Sequence, residues 1–248
     1  MKNSNQNTYQ FIKFHLLTSI EEPKKLLPRE KWPDSWKRIY FKGYPRFERI
    51  SLDKSIWRQK NYNLFEAILN RKTVREAQNL PLSKNDLSCL LLAGAITRVE
   101  GNVLYDSYRA YPSAGARYPC EIYILARKVS DLKSGLYHYH VRTHSLEFFW
   151  RTNKSEIKTC FPGQRFVVDS RAVIIITAIM GRSVGKYSER AYRYALLEAG
   201  HIAQNVYLIS CAINVGCCAL GGFNDKKICD LLDIRINEEL PLYGIAIL

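Results

Sequence analysis

The 248-residue sequence has no Cys-x-x-Cys pair, no internal repeat, no low-complexity segment and no apolar run of membrane length. Its longest apolar stretches, Ala172 to Met180 and the segment around Leu90 to Ile96, fall well short of the ~20 residues a spanning helix needs. The start, Met1-Lys2-Asn3-Ser4-Asn5-Gln6, lacks the apolar stretch of a secretory signal. The seven cysteines (Cys89, Cys120, Cys160, Cys211, Cys217, Cys218, Cys229) are odd in number and mostly sit in apolar runs, so they read as buried thiols in a reducing compartment. These absences predict a soluble, cytoplasmic protein with no membrane partner. Acidic residues are also scarce: 23 Asp and Glu face 37 Lys and Arg, a formal charge of +14. At 47% apolar and 24% charged the composition excludes disorder, collagen and coiled coil, and the length suffices for one large domain or two small ones.

The excess charge requires an anionic counterpart. It is concentrated in residues 1–75, which hold 17 Lys and Arg against 7 Asp and Glu. Nucleic acid, a bound phosphate and an acidic peptide would each satisfy it. Residues 1–60 are also rich in aromatics (Trp32, Trp36, Tyr40, Phe41, Trp57) and broken by Pro23, Pro28, Pro33 and Pro45, which predicts an arm that wraps on a neighbour. Residues 61–248 read as the folded core.

Within the core, Leu64, Phe65, Ile68 and Leu69 recur at helical spacing from Asn63 to Arg71. Ser83 and Asp86 form a capping-box pattern ahead of a second helix through Leu87, Leu90, Leu91 and Ile96. Cys120 to Arg127 is a strand by its β-branched and aromatic content. Gly135 to Val141 and Ser145 to Arg151 read as a hairpin, and Val173 to Ile179 as a further strand. Ser188 to Asn214 is the longest helical pattern, apolar or small on nearly every face, and so central to a core or a dimer interface. Gly216 stops it, Asn224 or Asp225 caps a short helix through Leu232, and Pro241 to Leu248 is a closing strand. This order predicts an α+β layer rather than a barrel or bundle.

Four segments could carry chemistry. Arg71-Lys72-Thr73-Val74-Arg75 can grip a phosphate with two guanidinium forks and a hydroxyl, or simply place cations on a helix C-terminal dipole. The small residues of Pro112 to Pro119 (PSAGARYP) let backbone approach a flat ligand, or form a plain turn before a strand. Leu220-Gly221-Gly222-Phe223 is an anion-binding turn or a helix-linking one. Lys186 and Tyr187 can exchange a proton if partly buried, or be a solvated lysine beside a packed aromatic. His138, His140 and His144 lack the further ligand a metal site needs and read as surface histidines of the hairpin, so no metal is expected. Cys217 and Cys218 read as packed rather than redox-active.

Taken in order, RKTVR, PSAGARYP leading into CEIYILAR, GLYHYHVRTHSLE, KYSERAYRYALLEAGHIAQNVYL, GCCALGGF and PLYGIAIL resemble the nitroreductase-like flavoproteins. Within these they are most similar to the SagB-type dehydrogenases that make thiazoles and oxazoles in ribosomal peptides. The resemblance covers residues 63–248 and reaches more loosely back to WPDSWKRIYFKGYPR. It implies an α+β fold with a mixed or antiparallel sheet flanked by helices, and an intertwined homodimer with FMN at each interface. It assigns Arg71, Thr73 and Arg75 to the FMN phosphate and ribityl chain. Pro112, Ser113, Ala114 and Gly115 fall to the flavin ring, and Leu220, Gly221 and Gly222 to a second cofactor loop. Lys186 and Tyr187 become the catalytic pair, accepting a proton while hydride passes to FMN N5. The implied substrate is a precursor peptide already cyclised by a partner cyclodehydratase. Two departures stand out. Glu76 follows Arg75 where an aromatic is usual, and the chain stops at Leu248 where many relatives place another basic residue on the phosphate. The alternatives are an NAD(P)H-dependent reductase of nitro compounds, quinones or enones, and a non-catalytic module binding peptide or, less in keeping with its motifs, nucleic acid.

Overall fold

The computed structural model describes residues 4–19, 28–59 and 61–248. Met1 to Asn3, the stretch 20–27 that includes Pro23, and Lys60 lie outside the described residues. Helix α1 (Ser4–Leu17) comes first, then α2 (Asp34–Lys37), β1 (Arg49–Ser51), α3 (Ile56–Gln59), α4 (Leu64–Asn70) and α5 (Lys84–Leu91). A two-stranded ribbon, β2 (Ile96–Val99) and β3 (Ser107–Arg109), precedes β4 (Cys120–Ala126), β5 (Gly135–His140) and β6 (Ser145–Phe148). Then follow α6 (Lys154–Cys160), α7 (Arg165–Asp169), β7 (Ala172–Ile179), α8 (Gly181–Tyr187) and α9 (Arg190–Ala212). The chain closes with β8 (Cys217–Leu220), α10 (Asp225–Leu232) and β9 (Glu239–Ile247).

The main sheet has the order β1-β6-β5-β4-β7-β9-β8, and each neighbouring pair is antiparallel. Its central strands are apolar at successive positions because both faces are covered. Ile122 and Ile124 of β4 and Ile174 and Ile176 of β7 pack into one core with Leu87, Leu90, Ala199, Ile202 and Val206 of α5 and α9. The alternate residues Tyr123, Leu125, Val173 and Ile175 meet Ile157, Val167, Ile228 and Leu232 of α6, α7 and α10 on the other face. The result is the expected α+β architecture, a sheet between helical layers. Pro241 fits inside β9 because β8 pairs only Gly244 to Ile247, and the β7 pairing shifts register next to the proline.

Several boundaries differ from the sequence expectation. The second helix ends at Leu91 and Ile96 already belongs to β2, since Leu92 to Gly94 tighten into a single 3₁₀ turn. Asn224, not Asp225, caps α10. α9 is not buried all round: its small face (Ala191, Ala195, Ala199, Ala203) lies on the sheet, while Leu197 is exposed. The described parts of the basic stretch, 4–19 and 28–59, pack on their own chain: Arg190 and Arg193 donate to the Thr18 and His15 carbonyls, β1 pairs with β6, and Ile39 and Leu52 enter the core. Among the described residues no helix is long and apolar enough to cross a membrane.

Candidate functional site

The loop from Pro112 to Pro119 is held from behind. The Ser113 hydroxyl accepts from the Tyr118 N–H at 2.8 Å and donates to Glu198 Oε1 at 2.7 Å, tying the loop to α9. Gly115, Ala116 and Tyr118 all have positive φ (60°, 53° and 47°), a strained run in which two residues carry side chains. α8 ends where Ser188 turns to φ 48°, so Lys186 and Tyr187 form its last turn. A Cβ on Gly115 would lie 2.4 Å from Tyr187 Oη and 2.6 Å from Lys186 Nζ. Amine and phenol therefore rest directly on the Gly115 backbone, and two of the four segments form one cluster.

The electrostatics of this cluster suit proton transfer. Burial, then the positive charges of Arg117 and Arg29, bring the Lys186 amine down to about 8. Its Nζ sits 3.1 Å from the centroid of the Trp32 ring, which offers a π-face in place of water. Burial raises the Tyr187 phenol above its ordinary value, so it stays protonated at neutral pH. Arg117 joins these pieces. Its guanidinium donates to the carbonyls of Arg182 (2.9 Å), Ser35 (2.8 Å), Arg38 (3.1 Å) and Trp36, clamping the 35–38 segment to α8 and the loop.

The other two segments meet at the far end of α9. Asn63 caps α4 by accepting from Phe65 and Glu66, and Arg71 is the residue on which the helix ends. The Val74 N–H donates to the Cys217 carbonyl at 2.9 Å, laying Arg71 to Arg75 beside β8. Thr73 Oγ1 is 3.2 Å from Tyr207 Oη, which accepts from the Ala219 N–H, and the Arg71 guanidinium lies 5.3 Å from the Tyr207 ring centroid. β8 runs directly into the exposed Gly221-Gly222 turn. Tyr207 and Glu198 are separated by about 13 Å along the helix, at roughly 1.5 Å per residue. No hydrogen bond or ion pair among the described residues joins the phosphate-type cluster to the Lys186 cluster.

Glu198, Arg109 and Arg117 escape the sequence reading. Burial, with Glu198 only 3% exposed, raises its carboxyl to about 7. Nearby Arg109 keeps Nε and Nη2 buried without partners. The available signal is an acid on the small-residue face of a helix, between Ala195 and Ala199. The hairpin histidines are not on the surface: all three are buried. His138 sits between Glu147 (2.9 Å) and Glu121 (3.0 Å), with Arg182 and Arg49 on the outer carboxylate oxygens. His144 bonds Ser88 (2.8 Å) and Tyr139 (2.7 Å). The hairpin lies inside the sheet, covered by Tyr44, Phe149 and Trp57, so period-2 alternation with polar residues marks an internal ion network here. Cys217 and Cys218 are buried strand residues of β8.

Relatives agree with this architecture. The protein MJ1384 of Methanocaldococcus jannaschii, assigned by name to the nitroreductases, is 34% identical over 181 residues, 72% of this chain and 87% of that one. The microcin B17-processing protein McbC of Escherichia coli is 26% identical over 140 residues, 54% of this chain and 52% of its own length. A chain of the E. coli microcin synthetase McbBCD complex with truncated pro-MccB17 bound superposes with a TM-score of 0.59 at 19% identity, covering 98% of this chain and 93% of that one. A structure from Anabaena variabilis, also assigned to the nitroreductases, gives 0.71 at 27% identity over 95% of this chain, which spans only 45% of it. The nitroreductase family profile matches residues 68–247, from within α4 through the end of β9. The chain is therefore a member of the nitroreductase family.

Proposed function

We propose that this chain is an FMN-dependent dehydrogenase that oxidises thiazoline or oxazoline rings in a ribosomally made peptide to thiazoles or oxazoles. The observation that carries this reading is the placement of Lys186 Nζ and Tyr187 Oη on the Gly115 backbone, with the amine brought down to about 8. An amine in that range is partly neutral at physiological pH and competent as a base.

The residues present fit FMN. Arg71 and Arg75 make no ion pair with a carboxylate among the described residues, and with Thr73 they would hold the phosphate and ribityl chain. Pro112, Ser113, Ala114 and Gly115 would meet the ring system through their backbone. Leu220, Gly221 and Gly222 would supply the second loop. Bound there, FMN supplies the acceptor for the hydride leaving the azoline ring. Lys186 takes the proton from the adjacent ring carbon, and Tyr187, kept protonated by burial, donates a hydrogen bond that orients the ring. Arg117 and Glu198 hold the two sides of this arrangement together through the contacts described above.

The separation of the two clusters along α9 supports a homodimer in which each site takes one cluster from each subunit. The exposed apolar residues Leu64, Phe65, Ile68 and Leu69 on α4 would be covered in that assembly. Similarity to McbC, and to a chain of a complex holding a pro-peptide, supports a precursor-peptide substrate delivered by a cyclodehydratase. Similarity to MJ1384 favours a second reading, an NAD(P)H-dependent reductase. Anaerobic mixing separates the two. An azoline peptide should bleach the flavin and emerge two hydrogens lighter. Bleaching by NAD(P)H with no response to the azoline peptide would establish the reductase instead.

A further inference from the structure

Beside Lys186 lies a cavity of about 150 Å³. Four rings line it, Trp32 and Trp36 from the basic stretch and Tyr105 and Tyr108 from the β2–β3 ribbon, beside Arg29, Lys37 and Ser107, and Gly115 and Ala116 complete the lining. A space of about 150 Å³ is large enough for a single benzene-sized ring. The space therefore has room for one five-membered heterocycle.

The charges at the rim are already engaged. Arg29 lies 3.5 Å from Asp106 and donates to the Tyr105 carbonyl at 3.2 Å, while Lys37 lies 3.7 Å from Asp34 and donates to the Glu30 carbonyl at 3.2 Å. What the cavity offers is π-surface, with the Lys186 amine at its edge. A neutral, flat ring is the complement of such walls, whereas an acidic side chain would compete with Asp106 and Asp34 for their cations.

We propose that this cavity seats the heterocycle of the substrate peptide, with Trp32 and Trp36 as its recognition walls and Gly115 as its floor, so that the N-terminal basic stretch builds the substrate site of its own chain. The proposal rests on the dehydrogenase reading for the identity of the ring. It gives residues 28–38 a role in selecting cyclised over uncyclised peptide. Arg117 becomes a positioning residue, because its contacts to the Ser35, Trp36 and Arg38 carbonyls fix Trp36 relative to the floor.

The test uses the FMN-loaded full chain and two tagged synthetic peptides, one bearing a single thiazole and the other the unmodified cysteine, with binding followed by fluorescence anisotropy. Removing one ring-stacking face costs on the order of tenfold in affinity. Trp36→Leu should weaken the thiazole peptide about tenfold, leave the cysteine peptide within about twofold and leave FMN content unchanged. Trp36→Phe should restore most of the loss. Equal weakening of both peptides, no weakening, or no thiazole-peptide binding by the wild type would overturn the proposal. So would FMN loss in Trp36→Leu, which would assign the cavity to the cofactor. Turnover of the azoline peptide is scored separately on the wild type, so Trp36-dependent binding without turnover would sink the dehydrogenase reading and leave the ring site standing.

Discussion

Replacement of Gly115 by alanine tests the proposed role of the Lys186–Tyr187 cluster at one atom. At φ 60° an alanine pays left-handed strain of roughly 1–2 kcal/mol. At about 2–4 °C per kcal/mol for a chain of this size, the melting temperature should fall by about 2–8 °C. The new Cβ would also stand 2.4 Å from Tyr187 Oη and 2.6 Å from Lys186 Nζ. Both groups end flexible side chains, so the fold survives, but each must retreat by about 1 Å, and a misplacement of that size costs on the order of 100-fold in rate. Gly163 supplies the control: its φ is 78°, and nothing lies within 4 Å of the added Cβ. Gly163→Ala should therefore lose similar stability with normal turnover, whereas Gly115→Ala should lose turnover while keeping its flavin. Thermal melts and azoline-peptide kinetics on both variants make the comparison. Turnover of Gly115→Ala within threefold of Gly163→Ala would refute the assignment of Lys186 and Tyr187 to the chemistry.

Three further outcomes follow from the buried charges. With the Lys186 amine at about 8 and the neutral form competent, kcat/KM should rise with pH and level off above about 8, and Lys186→Arg, which stays protonated, should retain FMN but lose turnover at every pH. Glu198 has its folded value raised to about 7 from 4.5, so between these limits the folded protein holds a proton that the unfolded chain has released. Its stabilising contribution is full below 4.5 and is lost as pH rises through 7, by about 3 kcal/mol. Urea unfolding of Glu198→Gln at pH 5 and pH 8 should lack that decline, and an unchanged decline would remove Glu198 as its source. Burial opposes protonation of His138, but hydrogen bonds to Glu121 and Glu147 win and raise it above 6.5. His138→Ala, which takes one partner from each of two buried carboxylates and leaves them Arg182 and Arg49, should cost about 3 kcal/mol. The gap should be widest below pH 6.5 and narrow as pH climbs past the raised folded value, and a constant gap would argue against the charged pair.

The acidic-partner role that the basic stretch suggests meets different surroundings at different cations of that stretch. Among the described residues Arg71 and Arg75 make no ion pair with a carboxylate, whereas Arg29, Lys37, Lys42 and Arg49 pair with Asp106, Asp34, Glu239 and Glu147 of the same chain. Net charge counts residues and is blind to pairing, so it overstates the surface available to a partner.

Much of the fold is legible before any coordinates because its signals are local. The continuous apolar runs of β4 and β7, the long small-residue pattern of α9 and the caps at Asn63, Ser83 and Asn224 each act within a few residues. β1, β8 and α8 are not legible. β1 and β8 are three- and four-residue strands defined by their partners β6 and β9, and α8, GRSVGKY, carries two glycines and no apolar period. The sequence by itself determines the layered α+β class, the candidate segments and the family they resemble. Only the tertiary structure decides that Lys186 and Tyr187 rest on Gly115, that Arg117 clamps Trp36 beside them, that the hairpin histidines are internal, and that the phosphate-type cluster lies at the other end of α9. Those contacts join positions far apart in the chain, and packing of whole elements sets them where no local propensity reaches.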